Sequence, residues 1–459
     1  MKPLSCVLQI VCVLLFSGIG CCQDLPDGQI ANRVEAYLKP FVETGNLTGT
    51  VLVARKGRVL FRHSYGMANY ELRVQNSPET RFHIASVSKA FTAAAILQLQ
   101  EQGRLSVADP LSRFVPDFPN GDRITLDNLL THTSGIPDIN DLSDYDTFAR
   151  SPHTIAQLVA KFANLPLEFQ PGSSYQYSNS NYNLLALVLE KVTGESYGGY
   201  LRKHIFDPLG MQDSGHDGDA LQLIPLAASG YEPAGITDYE NAPYLDWSTK
   251  TGNGSLYSTV DDLYRFDRAL NADALLKAST RQKYFVEGPG NRYGWYIGKR
   301  LGHRVISGKG RSLGFASELD RFPDDDVTII LLSNSRSTVS QDPIAGALAA
   351  IVFGQQPSPP VMRAAAIPQS TLTSYAGTYQ YGPEYFAPNA KFTLTAESGY
   401  LLLELGDLRT PVVPLAENDF LERNFFGHVV MSKDAGGAVN GLTTRYGQKE
   451  FPARRLEAK

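Results

Sequence analysis

The chain has 459 residues, a net charge of −5 and a hydrophobic content of 43%. This length predicts about two or three domains, and the apolar content is too high for an intrinsically disordered chain. The mildly acidic balance gives no electrostatic basis for binding nucleic acid or an anionic membrane, so neither is expected as a partner.

The N-terminal segment has the pattern of a secretory signal peptide. Residues 1–22 combine one lysine, a long apolar run and several small residues, which is the order found in export signals. The uncharged run is also barely long enough for a membrane anchor, which is the alternative. All four cysteines lie in this segment, so the mature chain is expected to hold neither a disulfide nor a thiol nucleophile. We expect a secreted or periplasmic protein, and the letters GIGC loosely resemble a bacterial lipoprotein site that would attach a lipid at Cys21.

A helix, a hairpin and a second helix follow in chain order. Residues 30–45 predict an amphipathic helix, and residues 49–69 hold two β-rich runs around the turn RKGR. Residues 83–105 predict a helix that is apolar nearly all round and therefore buried. This helix begins near Ser86 and carries Lys89 one turn later, which is an unusual position for a charged side chain.

The rest of the chain separates into a mainly helical region and two β-rich regions. Residues 105–200 favour helices, and short antiparallel strands begin near residue 290 and precede a last helix at residues 342–354. We therefore assign residues 28–354 to one α/β (α+β) domain, an antiparallel sheet flanked by helices with a helical subdomain. Residues 355–370 are Pro-rich and predict a linker, and residues 371–459 show alternating runs typical of a small all-β barrel or sandwich.

The first candidate for chemistry is the segment from Ser86 to Lys89, which matches the pattern S-x-x-K. Residues three apart share a helix face, so Ser86 rather than Ser88 is the expected partner of Lys89. The positive end of the helix dipole favours developing negative charge on Ser86, and burial lowers the proton affinity of a lysine until it can act as a base near neutral pH. The pattern also fits a helix N-cap with a surface lysine, an alternative that these four residues leave open.

The second candidate is Tyr177-Ser-Asn179, which lies between a Pro-Gly turn and a predicted amphipathic helix. A tyrosine beside a lysine loses its proton more easily and can pass it between a nucleophile and a leaving group. An asparagine two residues on can hold the lysine and a substrate carbonyl at once. A polar turn before a helix gives the same pattern. Tyr239-Glu-Asn241 also matches, but it lacks the Pro-Gly lead-in and the following helix.

The third candidate is the strand ISGKGRSLGF, residues 306–315, where small residues let a substrate backbone approach. In this order the three elements resemble the serine β-lactamase and penicillin-binding-protein superfamily, whose pattern is S-x-x-K, a Tyr or Ser element ending in Asn, and a K-T-G-type strand. The Tyr-x-Asn form is similar to the class C β-lactamase branch with its D,D-peptidase, D-aminopeptidase and esterase relatives. The segments LLTHTSGIPD and GSLYSTVDDLYRF also resemble that branch, and the likeness covers about residues 28–353.

The resemblance implies a role for each candidate. Ser86 would be the nucleophile that forms an acyl-enzyme, and Lys89 and Tyr177 would share the base and acid roles. Asn179 would orient Lys89 and the substrate, and the backbone N–H groups of Ser86 and Arg311 would hold the oxyanion. The C-terminal β domain resembles the lipocalin-like appendage of some relatives.

One position departs from the family pattern. Alignment on the later Gly-Phe pair places the family's Lys or His on Gly308, so the strand reads Gly308-Lys309-Gly310. Alternate residues of a strand face opposite ways, so Lys309 is expected to point away from the site unless a bulge re-aims it. In the family that Lys or His helps to read the substrate carboxylate. Its absence favours neutral esters or amides, unless Arg311 supplies the charge.

The sequence therefore predicts a serine hydrolase whose substrate is an ester or amide of a small molecule or peptide. The alternatives are a D-aminopeptidase or D,D-carboxypeptidase/β-lactamase and, from another class, a penicillin-binding sensor with little turnover. No cofactor, metal or obligate protein partner is expected. The chain contains neither a P-loop nor H-E-x-x-H, and we interpret His132 in THTSG as a structural turn residue because no Cys/His cluster accompanies it.

Overall fold

The computed structural model describes residues 26–336, 341–406 and 408–456, apart from the side chain of Gln341. The predictions of a signal peptide and of lipid attachment at Cys21 concern residues outside these ranges. No helix within these ranges combines the length and the apolar composition needed to cross a bilayer.

The helices are α1 Asp27–Glu43, α2 Ser88–Glu101, α3 Leu126–Leu130, α4 Tyr145–Phe148, α5 Ile155–Phe162, α6 Asn179–Thr193, α7 Tyr197–Leu201, α8 Val260–Leu270, α9 Ala278–Tyr284, α10 Gln341–Val352 and α11 Gln369–Tyr375. Two 3-10 turns bear on the site, Ala85–Val87 and Trp247–Lys250. The strands of the first domain are β1 Gly49–Arg55, β2 Arg58–Tyr65, β3 Met67–Asn69, β4 Val74–Gln75, β5 Phe82–His83, β6 Gly215–His216, β7 Tyr231–Ala234, β8 Asp238–Asn241, β9 Leu256–Ser258, β10 Tyr296–Arg300, β11 His303–Ser312, β12 Phe315–Phe322 and β13 Val327–Ser333. The later strands are β14 Gly377–Tyr381, β15 Lys391–Ala396, β16 Leu401–Leu405, β17 Leu408–Pro414, β18 Asp419–Glu422, β19 Gly427–Lys433, β20 Val439–Tyr446 and β21 Lys449–Arg455.

A six-stranded antiparallel sheet forms the centre of the first domain, in the order β10-β11-β12-β13-β1-β2. Strand β1 is buried along its whole length because both faces of the sheet are covered. Val51 and Val53 pack into the core that contains α1 and α10, whereas Leu52 and Ala54 pack into the core that contains α2. This alternation follows from the two-residue period of a strand. The predicted antiparallel sheet flanked by helices is confirmed.

Helix α2 is the central helix on one side of the sheet. Of its 14 residues 11 are buried, as its apolar composition predicts. The predicted helix over residues 83–105 is shorter in the structure, because the 3-10 turn before α2 contains Ser86 and α2 ends at Glu101. Helix α6 packs beside α2, and strand β11 runs past the 3-10 turn. The starts of both helices and β11 therefore meet in one place.

The C-terminal β domain is a closed antiparallel barrel of eight strands, β14 to β21, which confirms the predicted barrel-like domain. The sequence pattern predicts five of these strands, from runs at residues 391–397, 400–406, 410–416, 428–433 and 438–446, and it missed β14, β18 and β21. Strand β18 has only four residues, and β21 combines Pro452 with exposed charged residues. Neither strand therefore shows a long alternation of apolar and polar residues.

The segment between α10 and α11 packs against both domains. Met362 is buried in the core that contains α1 and α10, and Ala365 N donates to Pro414 O at 2.7 Å. From the barrel, the buried Arg423 donates to Gly45 O and Ala234 O at 2.6 Å each. A buried guanidinium is costly without such acceptors, so these carbonyls hold the barrel against the first domain.

Candidate active site

Ser86 lies in the 3-10 turn that joins β5 to α2. Its Oγ lies 3.1 Å from Lys89 Nζ and 2.9 Å from Tyr177 Oη. The Ser86 side chain caps neither the turn nor α2, so the N-cap alternative does not describe it. Ser88 is fully buried, and its Oγ accepts a hydrogen bond from the backbone of β9 at 3.2 Å. The structure therefore brings Ser86, and not Ser88, to the lysine.

Lys89 is completely buried, so it does not reach solvent as a surface lysine would. Its Nζ lies 2.8 Å from Asn179 Oδ1 and 2.8 Å from the backbone oxygen of Asn253, in addition to Ser86 Oγ. The carbonyl oxygens of the two asparagines can only accept hydrogen bonds. They take two N–H groups of the lysine, and the third contact is with the serine hydroxyl.

The charge state of Lys89 follows from its surroundings. Burial lowers the pKa of Lys89 well below its ordinary value, the charge of Asp138 raises it, and that of Lys250 lowers it further. A neutral amine has two N–H donors and one lone pair. In this neutral form, with the donors directed at the two carbonyl oxygens, the lone pair faces the Ser86 hydroxyl, which is the arrangement that a base requires.

Tyr177 lies in the segment before α6, and its ring stacks on His132 with centroids 4.4 Å apart. Burial raises the pKa of Tyr177 well above its ordinary value. The phenol is therefore protonated. This differs from the expectation that the lysine eases the loss of the phenol proton, because only a charged Lys89 would stabilise the phenolate. Burial also lowers the pKa of His132 to about 3, and its Nδ1 accepts a hydrogen bond from Ser178 N at 3.1 Å. A neutral imidazole thus supports the tyrosine ring.

Asn179 is the first residue of α6 and is buried. Its Nδ2 lies 2.9 Å from Asp138 Oδ2 and 3.2 Å from Asp138 Oδ1. The carboxylate orients the amide so that Oδ1 faces Lys89. Sequence reasoning gave Asp138 no role, although it is the last residue of the family-like segment LLTHTSGIPD.

Strand β11 borders the site, and its residues face alternately. A Cβ atom at Gly308 would lie 3.2 Å from Trp295 Cζ3, so the indole occupies the space beside this position. Lys309 faces the other way, and its Nζ lies 2.7 Å from Asp342 Oδ2 on α10. Strand β11 pairs with β12 without a register shift. No bulge therefore turns Lys309 toward Ser86.

Gly310 lets β11 approach the nucleophile. A Cβ atom there would lie 2.2 Å from Ile84 O and 3.0 Å from Ser86 N, which real side chains do not tolerate. Arg311 comes next and lines the cleft that contains Ser86. Across the described ranges, no side chain or backbone group pairs with its guanidinium. The oxyanion role of the Arg311 N–H group stays a prediction.

The cleft has a volume of about 340 Å³ and a positive wall. Lys250 and Arg311 are the cations that line it, Lys309 borders it while its ammonium pairs with Asp342, and no carboxylate of the described residues lines it. Lys250 Nζ donates to Asn140 Oδ1 at 3.1 Å, so a neutral amide is its partner. Sequence reasoning missed Lys250, Asn140 and the backbone oxygen of Asn253. The only available signal was that Lys250 stands just before the family-like segment GSLYS.

The competing motif Tyr239-Glu-Asn241 is not part of the site. It lies on β8, and Tyr239 Oη donates to Gly45 O at 2.5 Å near the barrel. Within the described ranges, no group of three or more His, Cys, Asp and Glu residues is placed to hold a metal ion.

Comparison with known proteins places this geometry in a family. Residues 34–352 match the family model described as Beta-lactamase. A Bacillus subtilis protein that carries the name penicillin-binding protein PbpX is 35% identical over 301 residues, which cover 65% of this chain and 72% of that protein. A second penicillin-binding protein of Bacillus subtilis is 30% identical over 455 residues, which cover 92% of this chain and 98% of that protein. Among solved structures, the D-stereospecific amidohydrolase of a Streptomyces species superposes with a TM-score of 0.59 at 26% identity, over 66% of this chain and 94% of that one.

Proposed function

Since the chain belongs to the β-lactamase family, we propose that it is a serine hydrolase that cleaves an ester or amide through an acyl-enzyme on Ser86. One observation carries the proposal, which is the contact of Ser86 Oγ with both Lys89 Nζ and Tyr177 Oη at an open cleft. A hydroxyl beside a neutral amine has a base for its proton, and a protonated phenol is an acid for the leaving group.

The proposed reaction uses Ser86, Lys89 and Tyr177, which are in contact, and two backbone N–H groups. Ser86 Oγ attacks the acyl carbon while its proton passes to the lone pair of Lys89. Negative charge then develops on the carbonyl oxygen, in front of the N–H groups of Ser86 and Arg311. Tyr177 gives its proton to the leaving atom as that bond breaks and regains a proton from Lys89. Water replaces the leaving group in the second half, and the same transfers release the acid and free Ser86.

The charge of the cleft bears on the substrate. Gly308 by itself favours neutral esters or amides, but the cleft has other cations. No carboxylate of the described residues forms a close ion pair with Arg311, on which Glu318 and Asp342 act only from a greater distance, and Lys250 pairs with a neutral amide. We therefore include acyl donors with a carboxylate in the proposed substrate class. The penicillin-binding proteins and the D-stereospecific amidohydrolase among the similar proteins support testing peptides that contain D-amino acids.

The decisive experiment replaces Ser86 and measures turnover. Ser86→Ala should abolish hydrolysis of p-nitrophenyl esters, whereas Ser88→Ala, with its hydroxyl directed at β9, should retain it. Unchanged turnover in Ser86→Ala contradicts the proposal. A panel of a short-chain ester, a chromogenic cephalosporin and D-Ala-terminated peptides then separates esterase, β-lactamase and peptidase activity.

A second candidate function is a penicillin-binding sensor that is acylated but scarcely turns over. The observation that favours it is the space at Gly308, which Trp295 occupies in place of the family's Lys or His. A burst assay distinguishes the two functions. One equivalent of product without further release supports the sensor, and continuing release supports the hydrolase.

We also propose that the mature chain acts outside the cytoplasm, as a secreted or periplasmic protein. The composition of residues 1–22 supports this location, with lipid attachment at Cys21 as the alternative. The mass of the N-terminal peptide of the exported protein tests both: cleavage before an unmodified residue supports secretion, and a diacylglyceryl adduct on Cys21 supports the anchor.

A further inference from the structure

A second cavity of about 360 Å³ lies beside the cleft. Two elements form walls of both spaces. At the end of β11, Ser312 lines the cleft and Leu313 lines the second cavity, and the 3-10 turn after Asp246 presents Lys250 to the cleft and Trp247 to the second cavity. The two spaces are therefore neighbours that are separated by the end of β11 and by this turn.

The second cavity has the opposite charge from the cleft. Among the described residues its lining contains Asp217, Asp219 and Asp246 but no lysine or arginine. His83 lies against Asp217, with Nε2 2.8 Å from Oδ2. Burial lowers the pKa of His83. A neutral imidazole donates a hydrogen bond to Asp217 without cancelling its charge.

Asp246 is only 4% exposed, and one of its oxygens has no donor. Its Oδ1 accepts hydrogen bonds from Ser248 N at 3.1 Å and Ser248 Oγ at 2.6 Å. Its Oδ2 is buried and has no hydrogen-bond partner in the part of the chain that the structure describes. Burial, followed by the charges of Asp246 and Asp217 and by a side-chain interaction with Asp246, raises the pKa of Tyr244, so the two carboxylates and this phenol are neighbours. A buried carboxylate oxygen without a donor is costly, and a bound cation would satisfy it.

The aromatic residues Tyr244, Trp247 and Phe315 form another part of the wall. Trp247 stacks on His83 with centroids 3.7 Å apart, and Tyr244 is 64% exposed. Aromatic faces beside carboxylates attract organic cations on apolar stems. The described residues contain no cluster suited to a metal ion, so the fitting ligand is an ammonium or guanidinium group.

We propose that this cavity is a subsite for a positively charged group at the end of the substrate's acyl chain. The inference rests on the proposed acyl-enzyme chemistry of Ser86. With the cationic cleft, the cavity makes the protein selective for acyl donors that bear charges of both signs, or a positive charge alone at the distal end.

The test compares matched esters and matched variants. The probes are p-nitrophenyl 6-aminohexanoate with its neutral isostere p-nitrophenyl heptanoate, and the longer pair 8-aminooctanoate and nonanoate. Asp246→Asn and Asp217→Asn keep the acceptor oxygens for Ser248 and His83 but remove the charge. Each should lower kcat/KM for the ammonium esters by about tenfold or more relative to the neutral ones, the usual effect of losing a charge-assisted hydrogen bond. Asp122→Asn removes one charge from an exposed residue outside the cavity and should leave the ratio unchanged.

The outcomes separate this inference from the proposed function. If wild-type protein hydrolyses neither ester of a pair, the function fails and the subsite fails with it. If it hydrolyses both and the ratio is the same in Asp246→Asn and Asp217→Asn, the subsite is wrong and the hydrolase stands. If Asp246→Asn does not fold, the same comparison of ammonium and neutral esters is made with Asp217→Asn and Asp219→Asn. n-Butylammonium should inhibit only the ammonium esters, and activation of the neutral ester would overturn the inference in favour of a free amine effector.

Discussion

A side chain introduced at Gly308 tests why the family's Lys or His is absent. A Cβ atom at Gly308 would lie 3.2 Å from Trp295 Cζ3 and 3.7 Å from Val87 Cγ1. Trp295 is fully buried, and the preceding Gly294 has a φ of +86° and packs so closely on α2 that a Cβ there would lie 2.4 Å from Ala90 N. The indole therefore has little room to move away.

The contact distances set the size of the effect. Gly308→Ala requires the indole to shift by a few tenths of an ångström, whereas Gly308→Lys must displace it. Overpacking of this kind costs about 1–3 kcal/mol. Each kcal/mol lowers the melting temperature of a large domain by roughly 2–4 °C, so Gly308→Lys should lower it by several degrees and Gly308→Ala by less. Gly298→Lys, on the neighbouring strand where nothing lies within 4 Å of the new Cβ, is the matched control and should be nearly neutral.

A double-mutant cycle with Trp295→Leu completes the test. Trp295→Leu leaves a cavity that the stem of a lysine at 308 can fill, so the two changes should couple by about 1 kcal/mol or more in urea unfolding. Activity on a carboxylate-bearing ester, relative to a neutral one, should rise in the double variant and not in Gly308→Lys alone. Additivity within about 0.5 kcal/mol, or a gain of that activity in Gly308→Lys without loss of stability, would refute the assignment of this space to Trp295.

Two further predictions concern buried carboxyl groups. Asp138→Asn removes the charge that raises the pKa of Lys89, so the acidic limb of the kcat/KM profile should move to lower pH; an unmoved limb would contradict Lys89 as the base. Glu232 accepts a hydrogen bond from Gly314 N at 3.2 Å, and burial raises its pKa to about 7 from the ordinary 4.5. The folded state thus binds more protons than the unfolded state between these values, so wild-type stability should fall as pH rises through this window. Glu232→Gln should lose that pH dependence, and its free energy of unfolding should exceed that of the wild type by up to about 3 kcal/mol above pH 7. Equal slopes of unfolding free energy against pH between pH 5 and 8 in both proteins would contradict the raised pKa of Glu232.

Local spacing was enough to determine part of the site. Residues three apart share a helix face, so the spacing predicted that Ser86 and not Ser88 would be the partner of Lys89. The period of a strand likewise determined that Lys309 faces away from the position of Gly308. Family resemblance then linked Tyr177 and Asn179 to this pair, although these residues are far apart along the chain. The central sheet and the barrel-like last domain were predictable because their strands alternate over several residues.

Only the tertiary structure decided how these residues are charged and what surrounds them. Asp138 and the backbone oxygen of Asn253 reach Asn179 and Lys89 through the packing of distant segments, which no spacing along the chain encodes. The pKa of Tyr177 rises instead of falling because burial removes water from the phenol, and burial is a property of the assembled core. The sequence by itself determined which nearby positions share one face of a helix or of a strand. The desolvation that lowers the pKa of Lys89, and the indole that fills the space beside Gly308, follow from contacts that form only when the whole domain has folded.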